Sequence, residues 1–286
     1  MSLSEARETQ SSSEPPHELS KSASYQERAV EAMLRSRPTI IGAIIVSAVI
    51  LAAIAAPLIA PHDPIDQELT ESLLPPAWAP GGDVEHLLGT DQYGRDVLSR
   101  VIYGSRVTLI TAFLSALCAA VFGTILGLIA GYYGGRVDDL IMRLVDIQLG
   151  FPLVLLSITI VAVLGASLRN LVLAMAVTGW MIYTRVVRGT VLSLKEEEFV
   201  DAARAIGASN FRIIFRHILP NTATPVLVLV TLEMARLVLM ESALSYLGLG
   251  VPPPAPTWGR MLSESREYMF IAYWIVLFPG ISYPLY

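Results

Sequence analysis

Six charged residues lie inside otherwise apolar runs of this 286-residue chain: Arg169 and Arg185 near the ends of one run, where long basic side chains can snorkel, and Asp146, Glu233, Arg236 and Glu241. Such residues are costly in apolar spans and usually face a bundle interior or a wet cavity. Glu233 and Arg236 stand three apart, so on a helix they can pair on one face. A structural ion pair, or burial against a partner, is the plainer reading. The sharper one is that they line a solute pathway or relay protons or ions. Glu241, near the end of its run, is expected to fix the loop that follows, and Asp146 to anchor at an interface. Other chemistry is missing. There is no Gly-x-x-x-x-Gly-Lys-Ser/Thr phosphate loop, no His-Glu-x-x-His pair and no Gly-x-Ser-x-Gly elbow. His17, His62, His86 and His217 are scattered over different segments, so no metal site is expected. Cys118 is the single cysteine and reads as a small buried residue.

The elements that must position these charges are membrane spans. The chain is 53% hydrophobic and only 16% charged, with a mean hydropathy of +0.57. Soluble domains carry about 25% charged residues. The net charge of −5 offers no case for nucleic acid. Six apolar stretches qualify fully or in part as transmembrane helices: residues 39–60, 107–133, 144–164, 168–187, 225–244 and 269–286. The runs are continuous, so a transmembrane barrel is excluded. The expected class is an all-α integral membrane protein with about six spans. Ala53-Ile54-Ala55 could serve as a signal-peptidase site. The apolar run continues to Ala60, however, and a long polar tail precedes it, so a retained helix with small packing residues is preferred.

With the N-terminus inside, thirteen Lys and Arg fall in inner segments and six in outer ones. This predicts a cytoplasmic N-terminus, although Arg95, Arg100 and Arg106 run against the rule. Residues 1–36, rich in Ser and Glu, read as a disordered cytoplasmic tail. Residues 37–62 form the first span, and an external loop, broken by prolines and glycines, extends to Gly104. The remainder, 105–286, forms the main transmembrane domain. Gly123, Gly127 and Gly131 repeat every four residues and predict close helix packing within the subunit.

The segment between the fourth and fifth spans is the most informative. Glu196, Glu197 and Glu198 open a helical half in which Phe199, Ala202, Ala203 and Ile206 share an apolar face. Gly207 suits a left-handed C-cap, and Ser209 can cap the next half. There Phe211, Ile214, Phe215 and Ile218 repeat the face, with Arg212 and Arg216 opposite and His217 on the polar side. Pro220 is expected to disfavour helix at Leu219 and to separate the unit from the fifth span. Such a helix-turn-helix suits either a helix lying flat on lipid or a rigid docking element for a cytoplasmic partner.

The run Glu198-Phe199-Val200-Asp201-Ala202-Ala203-Arg204-Ala205-Ile206-Gly207, followed by Ile218-Leu219-Pro220-Asn221, resembles the EAA loop of ABC importer permeases. Residues 88–106, Asp146 with Phe151-Pro152, and 241–250 are similar to the second-permease ("C") branch of the dipeptide/oligopeptide/nickel group. Asp201 replaces the usual glutamate of the Glu-Ala-Ala motif. The resemblance implies a type I ABC importer permease fold in a bacterial cell membrane, with residues 195–220 as the coupling helix. Glu198, Phe199, Asp201, Ala202, Ala203, Arg204, Gly207, Phe211 and Pro220 would then carry coupling to the ATPase. It also implies a homologous second permease, two cytoplasmic ATPase subunits holding ATP and Mg, an extracytoplasmic binding protein and a peptide substrate. This chain itself would bind no cofactor and catalyse no reaction. Import of nickel or another small solute, an ion-coupled secondary transporter and a membrane scaffold are the alternatives. The family's last span continues beyond the Phe-Pro-Gly step. Residues 269–286 give a helix of about 27 Å, marginal for a core of about 30 Å, so a truncated last helix is expected.

Overall fold

The computed structural model describes residues 36–282. The expected tail, apart from Ser36, and the last four residues of the sixth stretch lie outside them. The described residues divide between Ala48 and Val49 into two units. The first contributes the opening turns of helix α1 (Arg37–Ile59). In the second, α1 runs unbroken through the Ala53-Ile54-Ala55 step, and Ala53 and Ala56 are buried there, as packing positions require.

Helix α2 (Val97–Tyr133) starts ten residues before the expected 107. Asp96 is the reason: its carboxylate accepts from the Ser99 N–H at 2.7 Å and caps the first turn. At 1.5 Å per residue α2 is about 56 Å long, so it outreaches a hydrocarbon core of about 30 Å. Its first three turns carry Arg100, which was assigned to the loop, and Arg106, which was counted with the outer charges. A glycine turn leads into α3 (Gly135–Leu149), and α4 (Leu153–Leu164) follows. The stretch expected as one span over 144–164 is therefore broken: α3 and α4 meet at 89°. Pro152 has no N–H to donate and pushes Phe151 out of helical geometry.

Helix α5 (Leu168–Leu194) outlasts the expected 187. After it come the short α6 (Glu198–Ala205), a single turn at Asn210–Arg212, a π-helical turn at Ile213–Ile218, and α7 (Leu219–Tyr246). The segment after α7 holds α8 (Trp258–Glu264), and α9 (Trp274–Ser282) ends the described chain. The sixth expected stretch thus begins its helix at Trp274 rather than at Met269. Trp274 Nε1 donates to the Thr90 carbonyl at 3.0 Å and ties that start to the loop between α1 and α2. Among the described residues, four helices are long and apolar enough to span a membrane, and five spans result if α3–α4 counts as one.

The core follows from small residues. Helix α2 packs most extensively on α5, and α7 lies against both. A Cβ built on Gly123 would sit 2.3 Å from the Trp180 carbonyl oxygen. One on Gly127 would sit 2.7 Å from Val187 Cβ, and one on Gly131 2.7 Å from Val191 Cβ. The glycine ladder is therefore a helix-packing seam within the subunit, as the spacing predicted. Ala112, Ala116, Leu171, Met175, Leu237 and Leu244 continue the core above it.

Candidate functional site

The 195–220 segment forms two helical pieces around a glycine, and its local chemistry explains each boundary. Glu198, Asp201 and Arg204 are exposed on α6, with Arg204 paired to Asp201 at 3.0 Å. The helix closes on Gly207, whose φ of +79° only glycine adopts freely. Ala208 N–H bonds to the Ala203 carbonyl and Gly207 N–H to the Arg204 carbonyl, both at 3.0 Å, which is a Schellman closure. Ser209 Oγ then accepts from the Arg212 N–H and opens the second piece.

Two expectations for this segment are corrected. Pro220 does not separate the second piece from the fifth span: helix runs from Asn210 to Tyr246. A proline ring collides with the carbonyl four residues back in a regular helix, here that of Arg216. The wider π turn falls on those residues, and Leu219 N–H bonds back to Ile214. Asn221 Nδ2 donates to the His217 carbonyl at 2.6 Å and satisfies an acceptor in that turn. The second helical piece is consequently continuous with a span.

The second correction concerns the apolar faces. The face that enters the core is Val200, Ala203, Ile213, Ile214 and Ile218, closed over Leu128, Val187 and Val191. Of the eight residues assigned to the apolar faces, Ala203, Ile214 and Ile218 are inside. Ala202, Phe199 (39% exposed), Ile206 (86%), Phe211 (70%) and Phe215 (50%) face outward. Phe211 and Phe215 stack with centroids 4.3 Å apart, and Phe199 lies 6.4 Å from the His217 ring. The apolar stripe is wide enough to serve the core with one edge while leaving a cluster uncovered.

The intramembrane charges are separate from this element. Glu233 and Arg236 do pair on α7, with Arg236 Nε donating to Glu233 at 2.8 Å. Glu233 is buried and Arg236 about one-third exposed at its side chain. The fully buried Tyr183 of α5 has no hydrogen-bond partner for its hydroxyl. Glu241 is fully buried and accepts from Ser245 Oγ at 2.6 Å and Thr108 Oγ1 at 3.1 Å, so it ties α7 to α2. Asp146 is exposed and pairs with Arg185, linking α3 to α5.

Sequence reasoning missed three constellations. Arg188 forks onto both oxygens of Asp138 at 2.5 Å and pins α3 to α5. Where the segment before α2 meets α8, Arg95, Arg100 and Arg260 surround Asp91 and Glu264. Arg95 Nε reaches Asp91 at 2.7 Å, and its Nη2 reaches Glu264 at 2.8 Å. Arg100, 2% exposed, bonds to both acids, and Arg260 bonds to Glu264 at 2.7 Å. Burial favours the neutral Glu264 carboxyl, but Arg100, Arg260 and Arg95 outweigh it and hold the group below the usual carboxylate range. Two of the arginines that broke the charge rule are thus neutralised locally. The i,i+4 spacings of Asp91 with Arg95 and of Arg260 with Glu264 were the available signal. Third, His62 and His86, taken as scattered, stack at 4.6 Å beside Asp96 and Glu71. Burial disfavours a charged His86, yet its bonds to Asp96 and Glu71 keep its pKa above the ordinary value.

A broken pair of helices, long apolar helices seamed by glycines and an exposed loop continuous with one of them describe a multi-pass helical membrane protein. Residues 123–284 match the family described as "Binding-protein-dependent transport system inner membrane component". Residues 24–76 match the "N-terminal TM domain of oligopeptide transport permease C". The chain belongs to this family of ABC transporter permeases. The dipeptide transport system permease protein DppC of Alkalihalophilus pseudofirmus is 44% identical over 270 residues, covering 94% of this chain and 87% of that protein. DppC of Haemophilus influenzae is 44% identical over 86% of this chain and 84% of that protein. The di/tripeptide permease DppC of Pseudomonas aeruginosa is 42% identical over 82% and 77%. Among solved structures, an inward-facing MetNI methionine ABC transporter matches with a TM-score of 0.51 at 18% identity, over 66% of this chain and 92% of that one. This likeness establishes the type I importer permease fold.

Proposed function

We propose that this chain is a permease subunit of an ATP-driven importer for dipeptides and oligopeptides in a bacterial cell membrane. It pairs with a homologous second permease, and its N-terminus is cytoplasmic. Two cytoplasmic ATPase subunits bind ATP and Mg and receive the 195–220 segment, while this chain catalyses no reaction. A binding protein delivers peptide from outside, onto the surface built by the loops before α2 and after α7. The relatives that carry peptide-permease names support the substrate class.

One observation carries the coupling role: Phe199, Ile206, Phe211 and Phe215 stand uncovered on an element whose other face is anchored in the helix core. A helix meant to lie on lipid needs no such anchorage. Because the second piece continues into α7, a displacement of the ATPase is transmitted to a span through helix rather than through a flexible linker. Alternating access then follows as rigid-body motion, driven by the different contacts of the two states.

The test is uptake of a labelled dipeptide by proteoliposomes holding both permeases and the ATPases, with binding protein outside and ATP inside. Uptake that needs ATP and the binding protein supports the reading. Uptake that survives without ATP and collapses with the ion gradient refutes it in favour of a secondary transporter. ATP-driven uptake of nickel with no uptake of peptide refutes the substrate class alone.

A further inference from the structure

The outer loop holds a group of side chains that importing a peptide does not require. Asp96 caps α2 with Oδ2, which leaves Oδ1 free of the helix. That oxygen lies 3.0 Å from His86 Nδ1 and 3.9 Å from His62 Nδ1. His62 Nδ1 is buried without a hydrogen-bond partner. One atom from each of the three residues lies within 4.8 Å of the others. Ligands bound tetrahedrally at about 2.0–2.1 Å stand about 3.3 Å apart, so the two distances bracket what an ion needs. His86 Nε2 meets Glu71 at 2.9 Å. A carboxylate on the second ring nitrogen is the usual partner of a metal-bound histidine and fixes its tautomer and ring plane. The group opens into a cavity of about 390 Å³ where Asp63, Asp66, Glu68 and Glu85 add carboxylates and no Lys or Arg intervenes. Such a field concentrates cations.

We propose that His62, His86 and Asp96 form a binding site for one divalent transition-metal ion, of which Zn²⁺ is the natural choice. Glu71 orients His86, and water fills the fourth position. Mixed imidazole and carboxylate donors suit Zn²⁺ and its neighbours rather than Ca²⁺ or Mg²⁺, which prefer oxygen alone. The ion ties the chain just after α1 to the first turn of α2, cross-linking an outer loop of short turns whose only helix is the three-residue one at Leu69–Glu71.

The experiment uses the full chain, purified in detergent through a histidine-free tag, stripped with chelator and titrated with Co²⁺. One equivalent should bind with the visible absorption of a four-coordinate ion, and Zn²⁺ should bleach it. His62→Ala should weaken Co²⁺ binding at least tenfold. Glu71→Gln should weaken it about tenfold or more, in line with the loss of an outer-shell partner. His62 is chosen because its side chain is 38% exposed, so truncation spares the core. Independently of any variant, Zn²⁺ should protect His62 from carbethoxylation mapped by mass spectrometry. No stoichiometric Co²⁺ binding, unchanged affinity in His62→Ala, or modification of His62 indifferent to Zn²⁺ would each overturn the proposal. None of these results bears on the coupling role.

Discussion

Replacing Phe211 with alanine tests whether the uncovered cluster is a docking surface. Phe211 is 70% exposed and stacks on Phe215. A phenylalanine side chain offers about 200 Å² of surface. The exposed share is therefore about 140 Å², which at about 25 cal/mol/Å² corresponds to about 3.5 kcal/mol when a partner covers it fully. Alanine retains part of that contact, so the expected loss is about 2–3 kcal/mol, or roughly 30- to 150-fold in affinity. The free permease should barely change in stability, because little of the ring is buried there. The assay is the dissociation constant of the immobilised permease pair for the ATPase subunits, beside melting of the permease in the same detergent. Leu58→Ala, at a position 89% exposed on α1, is the control and should leave affinity unchanged. Affinity within twofold of the parent, in a Phe211→Ala chain that melts normally, would refute the docking argument.

Gly127→Ala places a methyl 2.7 Å from Val187 Cβ and 2.8 Å from the Thr184 carbonyl oxygen, so α2 and α5 must part. The cost should be about 1–3 kcal/mol, read as a fall in melting temperature, whereas Gly134→Ala, with open space around it but a φ of +63°, should cost only its backbone strain. Glu264→Gln should destabilise the packing of α8 against the start of α2 by about 3 kcal/mol, since it removes a charge that compensates the buried Arg100. Because the Glu264 pKa is lower folded than unfolded, its stabilisation is complete above the unfolded value of about 4.3 and is lost as pH falls through the folded one. Melting followed below pH 5 should show a drop in the parent that is smaller in Glu264→Gln. Glu233→Gln alone should destabilise α7, and Glu233→Leu with Arg236→Leu should recover stability. If the pair is structural, uptake recovers too; if it lines the route, uptake stays lost in a chain that melts normally.

Periodicity and composition determined the class, the first apolar helix, the glycine seam and the existence of two helical pieces around Gly207, because each rests on local spacing that any packing must respect. The Glu233–Arg236 pair was legible for the same reason: the two residues are neighbours on one helix whatever lies around them. What only tertiary structure decided depends on partners distant in sequence. Apolar periodicity marked Phe199, Ile206, Phe211 and Phe215 but could not say which edge of the stripe meets Val187 and Val191, and the core took Val200 and Ile213 instead. Pro220 reads as a break until the π turn beside it is seen. Arg95 and Arg100 look like free positive charge until Glu264, far along the chain, closes on them. His62 and His86 have no metal-like spacing, since a folded loop, not a helix or strand period, brings their rings together.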